Sequence, residues 1–153
     1  MTISLPAFGS YGLLPAGIHT CSRLELQAAF SFTDRRAYLL QRLDQCTGIM
    51  KQCTLTGVLL IDGSFVTDKD HPGDIELTLD VRQEPPEAQD RALLFYARQH
   101  AALKSLDVDW YPTLPDNPSA DFTLFFQYAG EKTAAIKRCH PKSPKGIIRL
   151  TQW

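Results

Sequence analysis

The sequence lacks the features that mark membrane-spanning, secreted and zinc-cluster proteins. No apolar run approaches the length of a transmembrane helix, and the N-terminus has no basic segment followed by an apolar core and a cleavage site. The four cysteines form no C-x-x-C pair, and the four histidines form no H-E-x-x-H array. We therefore expect a cytoplasmic protein with no membrane partner and no disulfide framework.

Length and composition are ordinary, but charge is unevenly distributed. A chain of 153 residues, 44% apolar and 22% charged, fits one globular domain spanning residues 1–153. Residues 131–153 carry a net charge of +5, and the remaining 130 residues carry −6. A basic C-terminal tail beside an acidic face suits a nucleotide or RNA. A solvated tail that ends in one edge strand at 147–150 is the alternative.

The stretch from Leu59 to Val81 contains the most informative pattern. An apolar run ends in Gly63-Ser64, a polar loop holds Lys69, and a second apolar run begins at Asp74. In the second run, apolar and polar residues alternate, which predicts a strand with one buried and one open face. The polar positions are Asp74, Glu76, Thr78 and Asp80. Asp74 and Glu76 should therefore point the same way.

These residue types suit a metal ion and a phosphate chain. Two carboxylates about 6 to 7 Å apart along one strand can share a divalent cation, and hard oxygen ligands favour Mg²⁺ or Mn²⁺. Glycine in the Gly63-Ser64 turn lets backbone N–H groups approach a phosphate, and the serine hydroxyl adds a donor. Lys69 is the best-placed loop cation for a triphosphate, although a solvated lysine is nearly as plausible.

The spacing of these residues resembles the nucleotidyltransferase superfamily pattern. Gly63-Ser64 is followed by nine residues, from Phe65 to Gly73, and then by Asp74-Ile75-Glu76-Leu77. The resemblance implies that Gly63 and Ser64 hold a triphosphate and that the paired acids hold metal ions. It also implies a third acid on a later strand. Asp109 is the preferred residue and Asp107 the competing one, because the extended run continues past Asp109.

The resemblance implies a fold as well. It is an α/β (α+β) minimal nucleotidyltransferase fold, with a short mixed β-sheet and helices packed on it. Three segments, at 12–19, 63–69 and 145–150, are similar to a small, mostly uncharacterised bacterial family with this nucleotidyltransferase-like core. The match would then cover nearly the whole chain, and it leaves the acceptor substrate open.

The remaining elements follow from local signals. Residues 1–19 are rich in glycine and proline but contain enough apolar residues to predict an ordered arm. Ser22 with Glu25 predicts a capped helix to Phe30, and a longer helix follows Thr33. On that longer helix, Arg35 and Arg36 are expected to reach solvent, with a phosphate contact as the alternative.

Later segments are predicted in the same way. A buried strand is expected at 55–61, a helix from Glu87 and a strand through Asp109. A short helix at 120–128 should turn Phe122, Phe125 and Phe126 inward, either as core or as a wall against a nucleobase.

The hypothesised activity is Mg²⁺-dependent transfer of a nucleoside monophosphate from a nucleoside triphosphate to a hydroxyl of a protein or RNA acceptor. Asp74, Glu76 and Asp109 would be catalytic and metal-binding, and Gly63, Ser64 and Lys69 would bind the nucleotide. Toxin–antitoxin and phage-defence systems are a setting by analogy, and a homodimer or a partner-protein complex is an open expectation. One alternative is a catalytically inactive binding module or antitoxin, because Glu76 replaces the commoner aspartate. Another is a nucleic-acid-binding protein that uses the basic tail.

Overall fold

Two helices precede the central strands, and each begins at a capping residue. In a computed structural model that describes residues 5–153, α1 spans Arg23–Phe30 and α2 spans Asp34–Gln52. The Ser22 hydroxyl accepts a hydrogen bond from the backbone N–H of Glu25, whose carboxylate accepts one from the N–H of Ser22 at 2.7 Å. Thr33 caps α2 by accepting from the N–H of Arg36. The predicted capping box is therefore confirmed.

Five strands form one mixed sheet in the described residues. They are β1 (Ile18–Cys21), β2 (Val58–Asp62), β3 (Ile75–Asp80), β4 (Val108–Thr113) and β5 (Ile147–Leu150), in the order β1-β5-β2-β3-β4. β1 runs parallel to β5 and β3 parallel to β4, whereas β2 is antiparallel to both of its neighbours. Helix α3 (Pro86–Lys104) connects β3 to β4, as a parallel pair requires. The predicted mixed α/β class is confirmed.

One face of the sheet carries the main hydrophobic core. Leu59 and Ile61 of β2, Leu77 of β3 and Trp110 of β4 are fully buried and pack against apolar side chains of α1, α2 and α3. Each such side chain contributes roughly 1.5–3 kcal/mol when it is removed from water. Because side chains alternate between faces, the polar residues of the same strands lie on the opposite face.

The opposite face is only partly covered. Helix α4 (Phe122–Phe125) and Phe126 pack over Leu60 and Ile147 near the middle of the sheet. Phe126 is buried and Phe122 half-buried, but Phe125 is 47% exposed, so the prediction that all three phenylalanines turn inward is wrong for Phe125. Phe122 and Phe126, four positions apart, share the face that packs on Leu60 and Ile147, and Phe125 is not part of this cluster.

The C-terminal region differs most from expectation. β5 lies between β1 and β2, so the prediction of an edge strand is wrong. Helix α5 (Gly130–Lys137) was not predicted. The strand β2 begins at Val58 rather than Leu55, because Gly57 adopts a φ of +141° that interrupts extended structure.

Residues near the N-terminus contact the loop that follows β2, where the N–H of Asp68 donates to the carbonyl of Gly12 at 3.0 Å. Leu13 and Leu14 are buried, and Leu13 forms an isolated bridge with Thr67. The first four residues of the expected arm lie outside the described part of the chain. Across residues 5–153, none of the helices combines the length and apolar character needed to cross a membrane.

Candidate functional site

Strand register brings three carboxylates into a row. Asp62 at the end of β2 pairs with Glu76 of β3, and Glu76 pairs with Asp109 of β4. Directly paired residues point to the same face, so their side chains lie side by side at one end of the sheet. Asp74 lies just before β3 and two residues before Glu76, so its side chain is expected on the same face as that of Glu76. Together, Asp62, Asp74, Glu76 and Asp109 are termed the carboxylate row.

Asp62 was not among the predicted site residues. The available signal was its position: an aspartate that ends an apolar strand directly before the Gly63-Ser64 turn. A charged residue in that place must either be solvated or find a partner. The sequence does not show which of these it does.

The register also separates the two candidates for the third acid. Asp109 lies beside Glu76, and one of its oxygens, Oδ1, is buried without a hydrogen-bond partner among the described residues. Lys104 places its Nζ 3.9 Å from that oxygen. Asp107 instead has a φ of +62° just before β4 and accepts a hydrogen bond from Arg35 at 3.1 Å. The geometry therefore favours Asp109 over Asp107 as the third candidate acid beside Asp74 and Glu76.

The carboxylates disfavour one another's charge. Burial, followed by the charges of Asp62 and Asp74, raises the pKa of Glu76 to about 7. Burial and the charge of Asp109 also raise the pKa of Asp74. Closely spaced carboxylates behave in this way when no cation neutralises them.

The Gly63-Ser64 turn requires glycine for two reasons. Gly63 has a φ of +83°, and a β-carbon at this position would lie 3.2 Å from Cγ and Cδ of Glu76. Other residues would be strained here and would displace the central carboxylate. The turn continues into a 3₁₀ helix over Ser64–Val66, in which the N–H of Thr67 donates to the carbonyl of Ser64.

Arg36 holds the loop that follows the turn. Its guanidinium is fully buried and donates hydrogen bonds to the carbonyl oxygens of Phe65, Thr67 and Lys69. It also lies 4.2 Å from the centre of the Phe32 ring. Burial lowers its pKa to about 10. The prediction that Arg36 reaches solvent is wrong, because the loop turns its carbonyls towards α2 and only a buried cation satisfies them.

A cavity of about 300 Å³ lies between the turn, the carboxylate row and α5. Five predicted site residues line it: Gly63, Ser64, Lys69, Asp74 and Glu76. Asp62, Lys132 and Lys145 line it as well, whereas Asp109 lies beside it, next to Glu76. Its volume is at the lower end of the range for ligand pockets.

Residues 127–145 form a long loop, termed the excursion, whose two ends are joined by backbone hydrogen bonds. This loop brings the basic part of the chain to the cavity. The N–H of Lys145 donates to the carbonyl of Gln127 at 2.8 Å, and the N–H of Ala129 donates to that of Ser143 at 3.0 Å. At its far end, Lys137 forms an ion pair with Asp68 in the loop after the turn. α5 therefore covers the site, with Lys132 at the cavity wall.

The buried ion pair of Lys145 and Asp62 lies where the excursion returns to the sheet. The Lys145 ammonium donates to Oδ1 of Asp62, and the two residues are 2% and 5% exposed. Burial raises the pKa of Asp62, whereas the charge of Lys145 opposes that rise. Neither residue was assigned a role from the sequence.

The carboxylates of the row are of the ligand type that Mg²⁺ binds, but their side chains are not gathered into a complete metal site. Carboxylate oxygens are the ligands that Mg²⁺ prefers, and the buried Oδ1 of Asp109 accepts no hydrogen bond from the described residues and faces one cation, Lys104, at 3.9 Å. Within residues 5–153, no three acidic, histidine or cysteine side chains are grouped closely enough to hold a metal ion together. Asp74, Glu76 and Asp109 are the candidate ligands.

One comparison with known proteins places the chain in a family. A family model described as "Family of unknown function (DUF6932)" matches residues 6–151, so the chain belongs to that family. No curated protein and no solved structure matches it.

Proposed function

We propose that this member of the DUF6932 family is a Mg²⁺-dependent nucleotidyltransferase. It transfers a nucleoside monophosphate from a nucleoside triphosphate to a hydroxyl group of a protein or RNA acceptor. One observation carries the proposal: Gly63, Ser64 and Lys69 line the same cavity as Asp74 and Glu76, with Asp109 next to Glu76 on the neighbouring strand. A phosphate-binding turn and an acidic metal-binding row thus share one site.

Each residue has a role in the proposed reaction. Asp74, Glu76 and Asp109 would hold Mg²⁺, or Mn²⁺ in its place, through their carboxylate oxygens. When bound, the ion would neutralise charge on the triphosphate, so that the acceptor oxygen can attack the α-phosphorus and displace pyrophosphate. The Gly63-Ser64 turn donates hydrogen bonds to phosphate oxygens, and Lys69 adds a positive charge. Asp109 also accepts a hydrogen bond from the acceptor hydroxyl and orients it.

The acceptor and setting are part of the proposal. The described chain offers one cavity next to the carboxylate row and leaves Leu124, Phe125 and Tyr128 exposed on the same face of the sheet. A macromolecular acceptor, protein or RNA, suits such an open surface better than a small enclosed substrate. We place this activity in the cytoplasm, in a toxin–antitoxin or phage-defence system, with the protein acting as a homodimer or with a partner protein.

Label transfer tests the reaction. The protein is incubated with each nucleoside triphosphate labelled at the α-phosphate, Mg²⁺, and separate protein and RNA fractions. The account predicts labelled protein or RNA and release of pyrophosphate, both abolished in Asp74→Asn. Asp90→Asn, an exposed aspartate on α3, is the matched control and should retain full activity. Full activity in Asp74→Asn would contradict the proposal.

A catalytically inactive binding module that acts through a partner protein is the second candidate. The exposed apolar side chains of Leu124, Phe125 and Tyr128, each more than 40% accessible, favour it. In that case, binding to the partner protein should be unchanged in Asp74→Asn and lost in Phe125→Ser. The reverse pattern would support the transferase.

A further inference from the structure

Lys145 is a buried cation in the wall of the cavity. Its ammonium has three N–H donors, and the hydrogen bond to Asp62 uses one of them. No second hydrogen-bond partner for this ammonium occurs in residues 5–153. Lys145 lines the cavity, so a ligand bound there can reach this ammonium.

The ion pair is costly as a purely structural element. Removing two charges from water costs several kcal/mol for each ion, and apolar residues of similar volume often pack as well or better. Apolar side chains, Leu60 and Ile147, lie two residues away on each of the two segments, and Asp62 itself is paired with Glu76 on β3. The retained charge therefore points to a ligand.

The pair is also fixed in relation to the turn. Asp62, which pairs with Lys145, directly precedes Gly63 in the chain. The Lys145 ammonium is therefore held at the start of the Gly63-Ser64 turn. Lys69 is half-buried and Lys132 is exposed, so these two lysines have more freedom to move.

We propose that Lys145 is a phosphate-binding residue. Positioned by Asp62, its ammonium donates to a phosphoryl oxygen of a polyphosphate chain lying along the Gly63-Ser64 turn. This inference rests on the proposed function for the identity of the ligand as a nucleoside triphosphate. Asp62 is then a positioning residue for Lys145, and Asp74, Glu76 and Asp109 remain as the metal-binding acids.

Inorganic tripolyphosphate is the direct probe, because it contains the phosphate chain without a nucleoside. Its affinity is measured by calorimetry, with Mg²⁺ and separately with EDTA. The test variants combine Asp62→Asn with Lys145→Met or with Lys145→Gln, which removes both buried charges and leaves neither unpaired. Lys142→Met is the matched control, since Lys142 is exposed, lies in the same excursion and does not line the cavity. Thermal unfolding confirms which variants are folded.

Loss of one charge-assisted hydrogen bond should weaken tripolyphosphate binding by about tenfold or more in both double variants. Lys142→Met should bind as the wild type does. A weakening of less than about threefold in a folded double variant would overturn the inference, as would absence of binding to the wild type. Because no transfer is measured, binding that depends on Lys145 supports the inference even if label transfer fails.

Discussion

Glu76 occupies the centre of the carboxylate row. It is paired with Asp62 on one side and with Asp109 on the other, and its side chain packs against the backbone of Gly63. Its pKa is consequently raised from its ordinary value of 4.5 to about 7.

This shift predicts that stability depends on pH in a defined direction. Between pH 4.5 and about 7, folded Glu76 holds a proton that the unfolded chain has released. The free energy of unfolding should therefore fall as pH rises through this window, by on the order of 3 kcal/mol from Glu76 alone. Urea unfolding in EDTA, at intervals from pH 4.5 to 8, measures it.

Glu76→Gln should flatten this pH dependence, because glutamine does not titrate. Glu87→Gln makes the same change at an exposed position on α3 and should leave the profile unchanged. Parallel profiles for the wild type and Glu76→Gln would show that Glu76 has no raised pKa.

At the residue scale, the local pattern identified the polar face of β3, but it showed neither that Thr78 on this face is buried nor which residues are the partners of its acids. The alternation at 74–81 is visible in sequence because a strand repeats every two residues. Arg36 was misjudged because a charged residue on a helix is usually solvated, and nothing nearby in the sequence shows that a loop 30 residues later will cover it. The ion pair between Asp62 and Lys145 was not predicted, because two residues separated by 83 positions leave no local sequence signal of their contact.

At the scale of elements, the loop between β2 and β3 is held in place by α2. Arg36 binds carbonyls near its start, and Arg35 donates to the carbonyls of Pro72 and Gly73 near its end. Two adjacent helical arginines thus fix the loop that carries Lys69. The position of the turn relative to the carboxylate row depends on this contact.

Arg36→Met should destabilise the protein strongly, by about 3–5 kcal/mol, because several buried carbonyls lose their donor. Urea unfolding measures the loss. Arg42→Met makes the same change six residues later on α2, where the guanidinium donates to the exposed side chain of Gln45 and lies 4.5 Å from the centre of the Tyr38 ring. We expect that control to cost less than about 1 kcal/mol. Equal losses in the two variants would show that the loop does not depend on Arg36.

Helix starts were predictable at this scale, whereas α5 was not. Ser22 and Thr33 are capping residues that act within three positions of themselves, so their effect can be read locally. α5 begins at Gly130 without a capping side chain. Its position depends on the hydrogen bonds that close the excursion at residues 127–145, which join distant parts of the chain.

At the scale of the whole molecule, the C-terminal strand completes the sheet. β5 inserts between β1 and β2 and buries Ile147 and Ile148 completely. The basic segment that precedes it is thereby directed to the acidic end of the sheet. Within residues 131–153, Lys145 is buried and Lys137 is paired with Asp68, whereas Lys132, Arg138, Lys142 and Arg149 are exposed.

A pair of neighbouring substitutions tests this arrangement. Ile148→Asn should reduce the free energy of unfolding by about 3 kcal/mol or more, since it places an amide in the core. Arg149→Asn changes the next, exposed residue of the same strand and should cost less than about 1 kcal/mol. Similar small effects from both would indicate that β5 is not a central strand.

The order of the strands in the sheet could not be predicted from the sequence. The pattern at 147–150 predicts a strand, but it does not distinguish an edge strand from a central one that is only four residues long. Pairing β5 with both β1 and β2 joins segments about 90 to 130 residues apart. Such pairings are determined by packing of the whole chain.

The most direct test of the central claim is thermal unfolding with each nucleoside triphosphate, with and without Mg²⁺. A ligand that binds only the folded state raises the midpoint, by about 3–6 °C at ten times its Kd. We predict a rise that needs both nucleotide and Mg²⁺ and that disappears when Asp74→Asn and Glu76→Gln are combined. The control that combines Glu87→Gln with Asp90→Asn should respond as the wild type does. No rise with any nucleotide, or a rise that persists in the Asp74 and Glu76 double variant, would contradict the assignment of this cavity as a metal–nucleotide site.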